Sequence, residues 1–252
     1  GDSHAALFGH GAHTAGDGKV TFGTGSSVMT TVPAFVVPPK GITTTIAWKY
    51  RGQITYAFEG NILVSASILP WTADLLGLGS VDELVALAET VDDTLGVSLV
   101  PAHVGLGSPH WDSEARGLIA GLTFGAGRAH VARAAVESIA YQVNDVFEIV
   151  RANAGQEIGR LFVDGGPSRN HKLMQMVADI ADHSVTTSES TDASARGAAY
   201  LAGLAVGFWP DLATVAALEP HDAALQPAMD PAKRKAAIAV WSAAIRHSTA
   251  RL

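Results

Sequence analysis

Apolar and polar positions alternate through the first part of the chain in short runs of β-branched and aromatic residues. Val20-Thr21-Phe22, Val28-Met29-Thr30-Thr31-Val32, Thr43-Thr44-Thr45-Ile46-Ala47-Trp48 and Gln53-Ile54-Thr55-Tyr56-Ala57-Phe58 read as successive strands. Gly23-Thr24-Gly25, Pro38-Pro39-Lys40-Gly41 and Arg51-Gly52 separate them, each supplying the freedom or restriction of φ that a reversal needs. The pattern predicts hairpins and a mainly antiparallel start.

After Gly60 the period lengthens. Ile62, Ala66, Leu69, Ala73 and Leu76 fall on one helical face, with Pro70 expected to kink or divide it. Ser80, with Glu83 three residues on, predicts the N-cap of a second helix reaching about Thr90. Between Gly96 and Gly121, Gly and Pro are frequent, which predicts an irregular connection with short strands and a candidate site-forming loop. Ile139, Val143, Val146, Phe147 and Val150 predict the longest helix, from near Arg128 to Ala154-Gly155. A strand Leu161-Phe162-Val163, a turn Asp164-Gly165-Gly166-Pro167-Ser168 and a helix bearing Leu173, Met176, Val177 and Ile180 follow. A short strand Ser184-Val185-Thr186 then leads to a helix from Ser194 to Val206. Strand, helix, strand and helix in this order imply a parallel crossover, hence an α/β domain. Asp230-Pro231 opens a last helix, expected to run to the terminus.

Composition narrows the function classes. At 252 residues and 48% hydrophobic content, the chain can bury a full core. A net charge of -7 and no basic run argue against nucleic acid or acidic lipid as partner. With no cysteine, disulfides, thiolate zinc sites and cysteine nucleophiles are excluded, and a cytoplasmic location fits. Apolar stretches are interrupted well before a bilayer would be spanned, so no membrane association is expected. The chain opens Gly1-Asp2-Ser3, without methionine or signal peptide, and is expected to start inside a longer protein, although a cleaved tag would leave the same Gly1.

Two turns suit phosphate. Gly23-Thr24-Gly25-Ser26-Ser27 joins two strands with small residues whose N–H groups can approach an anion; read alone, it is first an ordinary hairpin turn and only second a phosphate loop. Asp164-Gly165-Gly166-Pro167-Ser168-Arg169-Asn170 lies between a buried strand and a helix, so its glycines expose a helix N-terminus. It is neither a Walker A loop nor a dinucleotide fingerprint, and a purely structural turn reads equally well. Asp2 has the chemistry of a general base toward a hydroxyl, yet a near-terminal aspartate is ordinarily just solvated. His4, His10 and His13 lack a carboxylate partner nearby and the spacing of a metal site, so no metal is assigned. Trp48, Trp71, Trp111, Trp209 and Trp241 are scattered, as core or interface anchors are.

Three segments in this order resemble the FGGY carbohydrate kinases, and within them the glycerol kinase branch. They are Gly1-Asp2-Ser3-His4-Ala5-Ala6-Leu7-Phe8-Gly9 with Thr21-Phe22-Gly23-Thr24-Gly25; Val104-Gly105-Leu106-Gly107-Ser108-Pro109-His110-Trp111-Asp112 through Arg133-Ala134-Ala135-Val136-Glu137-Ser138; and Val163-Asp164-Gly165-Gly166 with Asn170, then Gly197-Ala198-Ala199-Tyr200 and Val206-Gly207-Phe208-Trp209. The resemblance implies a ribonuclease H-like fold of the actin and sugar-kinase superfamily, with a mixed sheet flanked by helices. Residues 1–252 would be the C-terminal, nucleotide-binding domain, and the N-terminal substrate domain would lie outside this chain.

By the same resemblance, Asp2 is the base on the acceptor hydroxyl. Gly23, Thr24, Gly25, Gly165, Gly166 and Asn170 contact ATP, and Asp2, Ser3 and Ser27 line the acceptor side. Mg2+ accompanies ATP, a small sugar or polyol is the acceptor, and a homodimer is expected. Glycerol kinases carry an aromatic residue where Ser27 stands and a glutamine where Ser3 stands, so glycerol itself is not the expected acceptor. Ala66 and Pro70 replace a glycine and a glutamine near the nucleotide. Two other functions stay open on the same fold: a non-catalytic actin-like nucleotide-binding module and an ATP hydrolase.

Overall fold

The computed structural model describes residues 1–188, 192–218 and 223–250. Four strands follow helix α1 (Asp2–Gly9): β1 (Gly18–Phe22), β2 (Ser26–Val32), β3 (Thr43–Tyr50) and β4 (Gln53–Ile62). Helices α2 (Ile68–Leu75) and α3 (Val81–Ala88), strands β5 (Ser98–Val100) and β6 (Leu118–Ala120), and the 26-residue helix α4 (Arg128–Asn153) come next. The chain continues through β7 (Leu161–Gly165), a 3-10 turn over Gly166–Arg169, α5 (His171–Ala181), β8 (Val185–Thr187), α6 (Ala193–Ala205), α7 (Leu212–Ala216) and α8 (Pro231–Thr249).

Six strands form one mixed sheet in the order β3-β4-β2-β1-β7-β8, and β5 and β6 make a separate antiparallel pair. Ladders among β1 to β4 are antiparallel, as their alternation predicts, but the Pro38–Gly41 turn closes no hairpin: β4 lies between β2 and β3 and pairs with both. β1 meets β7 in parallel, and β7 meets β8 in parallel through the α5 crossover. Alternation then sorts the residues of β1 and β7 onto two faces. Val20, Phe22, Leu161 and Val163 pack with Ile139, Val143, Val146 and Phe147 of α4 and Leu173 and Val177 of α5. Lys19, Thr21, Phe162 and Asp164 face the other way, where α1 and α6 supply Leu7, Phe8, Tyr200 and Leu204. Gly60 in β4 leaves room for Val146, whose methyl would overlap any Cβ there.

Several expectations change. The apolar spacing from Ile62 to Leu76 is not one helix, because Ile62 is still paired to Ser26 in the sheet and the helix starts only at Ile68. Pro70 therefore falls in the first turn of α2, where no intrahelical N–H bond is lost, and it neither kinks nor divides the helix. α1 had no sequence signal beyond its motif: it is short, has Gly1 as its N-cap, and is shaped by burial of Ala6, Leu7 and Phe8. The last helix ends at Thr249, and residues 251–252 lie outside the described residues. Elsewhere the caps are as read: the Ser80 hydroxyl accepts from Glu83 N at 3.1 Å while Glu83 accepts from Gly79 N at 2.9 Å, and Asp230 accepts from Ala232 N and Lys233 N.

Candidate nucleotide and acceptor site

The parallel register sets Phe22 beside Gly165. The turn that follows β1 and the turn that follows β7 therefore emerge side by side at the carboxyl ends of neighbouring parallel strands, although they lie far apart in sequence. This edge is where open α/β sheets take their ligands. The sequence signals for the two turns are separate; only the ladder joins them.

The first turn is held from behind. Ser65 N and Ala66 N donate to the carbonyls of Thr24 and Gly23 at 2.8 and 3.1 Å, and the Ser67 hydroxyl donates to Thr24 O at 2.8 Å. Those bonds engage the carbonyl oxygens whose negative ends would repel a phosphate, while the Thr24 side chain stays exposed. A Cβ on Gly25 would strike the Ile62 carbonyl, so a larger residue cannot take its place.

The second turn is built on backbone that only glycine adopts comfortably. Gly165 has φ 92°, and a Cβ on it would strike the Phe22 carbonyl. At Gly166 an added Cβ would meet nothing within 4 Å, so the protein leaves that side open. Asn170 caps α5, its side-chain oxygen accepting from Lys172 N and Leu173 N, both at 3.0 Å. The positive end of the α5 dipole is thereby directed toward the same edge.

Asp2 is exposed at the first position of α1, with its Oδ1 accepting from Ser3 N at 2.8 Å. Its backbone carbonyl accepts from the Ser194 hydroxyl of α6 at 3.0 Å, which ties the helix starts together. Ser3 is half-buried beside it. Ser27 pairs with Thr21 in the β1–β2 ladder, so it shares the α1 face of the sheet, and its Oγ is buried without a partner among the described residues. The charge of Asp2 acts on the fully buried Lys19, which also feels Asp164 and Glu59. Burial draws the Lys19 ammonium below the ordinary lysine range, and Asp164, Glu59 and Asp2 offset only part of that pull.

Two residues at this edge carry no readable sequence signal as a pair. His10 Nε2 donates to Asp164 Oδ2 at 2.7 Å, both side chains being buried, which corrects the expectation that the early histidines lack a carboxylate partner. They lie 154 residues apart, so only the fold brings them together. Burial would raise the Asp164 carboxyl, but the His10 hydrogen bond and charge, then the Thr21 hydroxyl and Lys19, hold it below the ordinary carboxylate range. His4 meets the Thr45 hydroxyl at 2.9 Å, and His13 donates to Phe8 O at 3.1 Å; burial lowers both. These two are structural.

The remaining candidate features lie elsewhere. Trp48 and Trp241 are core residues, whereas Trp71 and Trp111 are exposed at separate places. A cavity of about 400 Å³ between α4, β5 and α8 is lined by Arg133, Glu137, Tyr141 and Trp241, and none of its lining belongs to the glycine turns or α1. From the predicted loop, Gly96 to Leu99 line that cavity, while Ser108 exchanges hydrogen bonds with Asn61 near the end of β4.

A mixed sheet with helices on both faces, and paired glycine turns at its parallel junction, defines an α/β domain of the actin and sugar-kinase fold. Residues 18–206 match the C-terminal domain of the FGGY family of carbohydrate kinases, and the chain belongs to that family. It is 44% identical to a glycerol kinase of Dechloromonas aromatica over 98% of its own length and 50% of that protein's. It is 41% identical to a glycerol kinase of Deinococcus radiodurans over 97% of its length and 49% of that protein's. The crystal structure of Plasmodium falciparum glycerol kinase with ADP superposes with a TM-score of 0.93 at 33% identity, over 100% of this chain and 51% of that one. The ligand-bound xylulose kinase of Lactobacillus acidophilus, 20% identical, shares the fold with a TM-score of 0.85 over 98% of this chain and 50% of its own. The chain spans about half the length of the curated relatives it matches.

Proposed function

We propose that this chain is the ATP-binding half of a kinase that phosphorylates a hydroxyl of a small sugar or polyol. The observation that carries the reading is the Phe22–Gly165 register, which sets two phosphate-compatible turns side by side in a chain of the FGGY family. The relatives just described are kinases, which favours this over the nucleotide-binding module and the hydrolase.

In this reading Gly23, Thr24 and Gly25 hold the terminal phosphates, and Gly165, Gly166 and Asn170 form the rest of the nucleotide seat. The open side of Gly166 and the exposed Thr24 fit such a ligand. Bound ATP supplies the γ-phosphoryl group. Asp2, exposed at the head of α1, accepts the proton of the acceptor hydroxyl as its oxygen attacks the γ-phosphorus in line and the bond to the β-phosphate oxygen of the departing ADP breaks. Ser3 and the unpartnered Ser27 hydroxyl offer hydrogen bonds to a polyhydroxylic acceptor. Mg2+ fits as a companion of the phosphates, held through their oxygens and water as it commonly is.

The missing half of the site belongs, in the same reading, to an N-terminal domain encoded upstream. A cytoplasmic homodimer is the working form we infer, and no helix among the described residues is long and apolar enough to cross a membrane. The test is an assay of the full-length protein with Mg-ATP against a panel of polyols and sugars that includes glycerol. A phosphorylated product is expected with at least one of them; ATP binding with no product across the panel overturns the kinase reading.

A further inference from the structure

A buried polar chain runs from β1 to α1 beneath the candidate site. Lys19 Nζ donates to Thr21 Oγ1 at 2.6 Å, Thr21 stands opposite Asp164 in the β1–β7 ladder, and the Asp164 carboxylate accepts from His10 Nε2 at 2.7 Å. The His10 ring also stacks on Phe162, with ring centres 5.6 Å apart and planes 4° apart. Charged and titratable groups bearing on this chain are Lys19 of β1, Asp164 of β7, Glu59 of β4 and Asp2 of α1.

The two ends of this arrangement matter differently. Asp164 immediately precedes Gly165 and Gly166, so its carboxylate fixes the end of β7 from which the second turn springs. His10 is the C-cap of α1, and Asp2 is the first residue of the same eight-residue helix, about 12 Å away along a rigid rod. Moving one end of so short a helix moves the other.

Stability alone does not account for the pair. His10 is fully buried and its Nδ1 has no hydrogen-bond partner among the described residues, a desolvation cost that a shape-matched apolar residue avoids. The packing of α1 on α6 through Gly9 and Gly197 already seats the helix against its neighbour. What the hydrogen bond adds is a fixed setting of α1 relative to the end of β7.

We propose that His10 and Asp164 are positioning residues that hold the Asp2 carboxylate in register with the Gly165-Gly166 nucleotide turn. The inference rests on the kinase reading above. It assigns to His10 no contact with substrate; its effect passes through α1.

The experiment compares three variants of the full-length protein: His10→Leu, which removes the donor; His10→Asn, which keeps an amide too short to reach Asp164; and His10→Gln, whose longer amide reaches it. Rates, KM for the acceptor, nucleotide dissociation constants and thermal unfolding are measured for each. Because a misplacement of about 1 Å can cost about 100-fold in rate, Leu and Asn are expected to lower kcat about 10- to 100-fold. Nucleotide affinity should stay close to the parent; melting temperature is expected to fall in Leu and Asn, which leave the Asp164 carboxylate buried without its partner, and Gln should restore kcat to within about threefold of the parent. If His10→Leu fails to fold, the Asn and Gln pair decides. Equal rates for Asn and Gln, or losses that merely follow the unfolded fraction, overturn the positioning role while the parent remains an active kinase. A parent protein that transfers phosphate to no acceptor overturns the kinase reading itself, and this inference with it.

Discussion

Gly197 of α6 lies against the carbonyl of Ala5 in α1 so closely that no side chain fits between the two helices, and Gly9 of α1 meets Ala193 of α6 in the same way. Backbone touches backbone there, and the helix carrying Asp2 is set directly on α6. Gly197→Ala is expected to push the helices apart at a cost of about 1–3 kcal/mol or more. Thermal unfolding should register a drop on the order of 5 °C. The displaced Asp2 should also reduce kcat in the full-length protein.

Gly165 and Gly166 are neighbours with opposite sensitivities. Gly165→Ala introduces both a left-handed backbone at φ 92° and a collision with Phe22 O. It should lower melting temperature and weaken nucleotide binding at least tenfold. Gly166→Ala meets no protein atom within 4 Å, so it should melt like the parent and still bind nucleotide more weakly. Isothermal titration with ATP alongside a thermal melt separates the two.

Asp2→Asn removes the proposed base and keeps its shape and its bond to Ser3 N. A general base contributes about 10²- to 10⁴-fold, so kcat should fall by that order while nucleotide affinity is retained. Steady-state rates and ATP titration on one preparation check both halves of the statement. Unchanged kcat would remove Asp2 from the mechanism.

Asp164 gives a pH dependence with a definite sign. Its folded carboxyl lies below the ordinary value, so the stability it contributes is present above that value and is lost as pH falls through the folded one. Urea unfolding across the acidic range should therefore show stability declining less steeply in Asp164→Asn than in the parent. A parallel decline in the two proteins would contradict the assigned charge state.

The strands, the Ser80 and Asp230 caps and the crossover through α5 were legible because each depends on residues close together in sequence. α1 was not, since its eight residues have little helical pattern and gain their structure from burial beneath Trp48 and Tyr200. Pro70 misled for a related reason: its effect depends on where the helix starts, and Ile62 is claimed by the sheet. At the candidate site, each glycine turn was visible from its composition. Their adjacency required the β1–β7 ladder, and the His10–Asp164 pair required the same ladder plus the seating of α1. Lys19 alternates with Val20 as an ordinary outward residue of a strand would; it is buried only because α1 covers that face.

The β1–β7 junction has a kinetic consequence. Its strands, like the Arg160–Asp17 ion pair beside them, join segments 143 residues apart, the kind of contact that forms slowly because a long loop must close first. Both glycine turns can exist locally before that closure, but the seat they make together cannot. A nucleotide that binds only the joined turns would reward completion of the fold, stabilising it by mass action in proportion to its concentration over its dissociation constant. Ligand would then act as a late fastener of the domain, and newly made chains would pass from protease-sensitive to resistant as nucleotide is supplied.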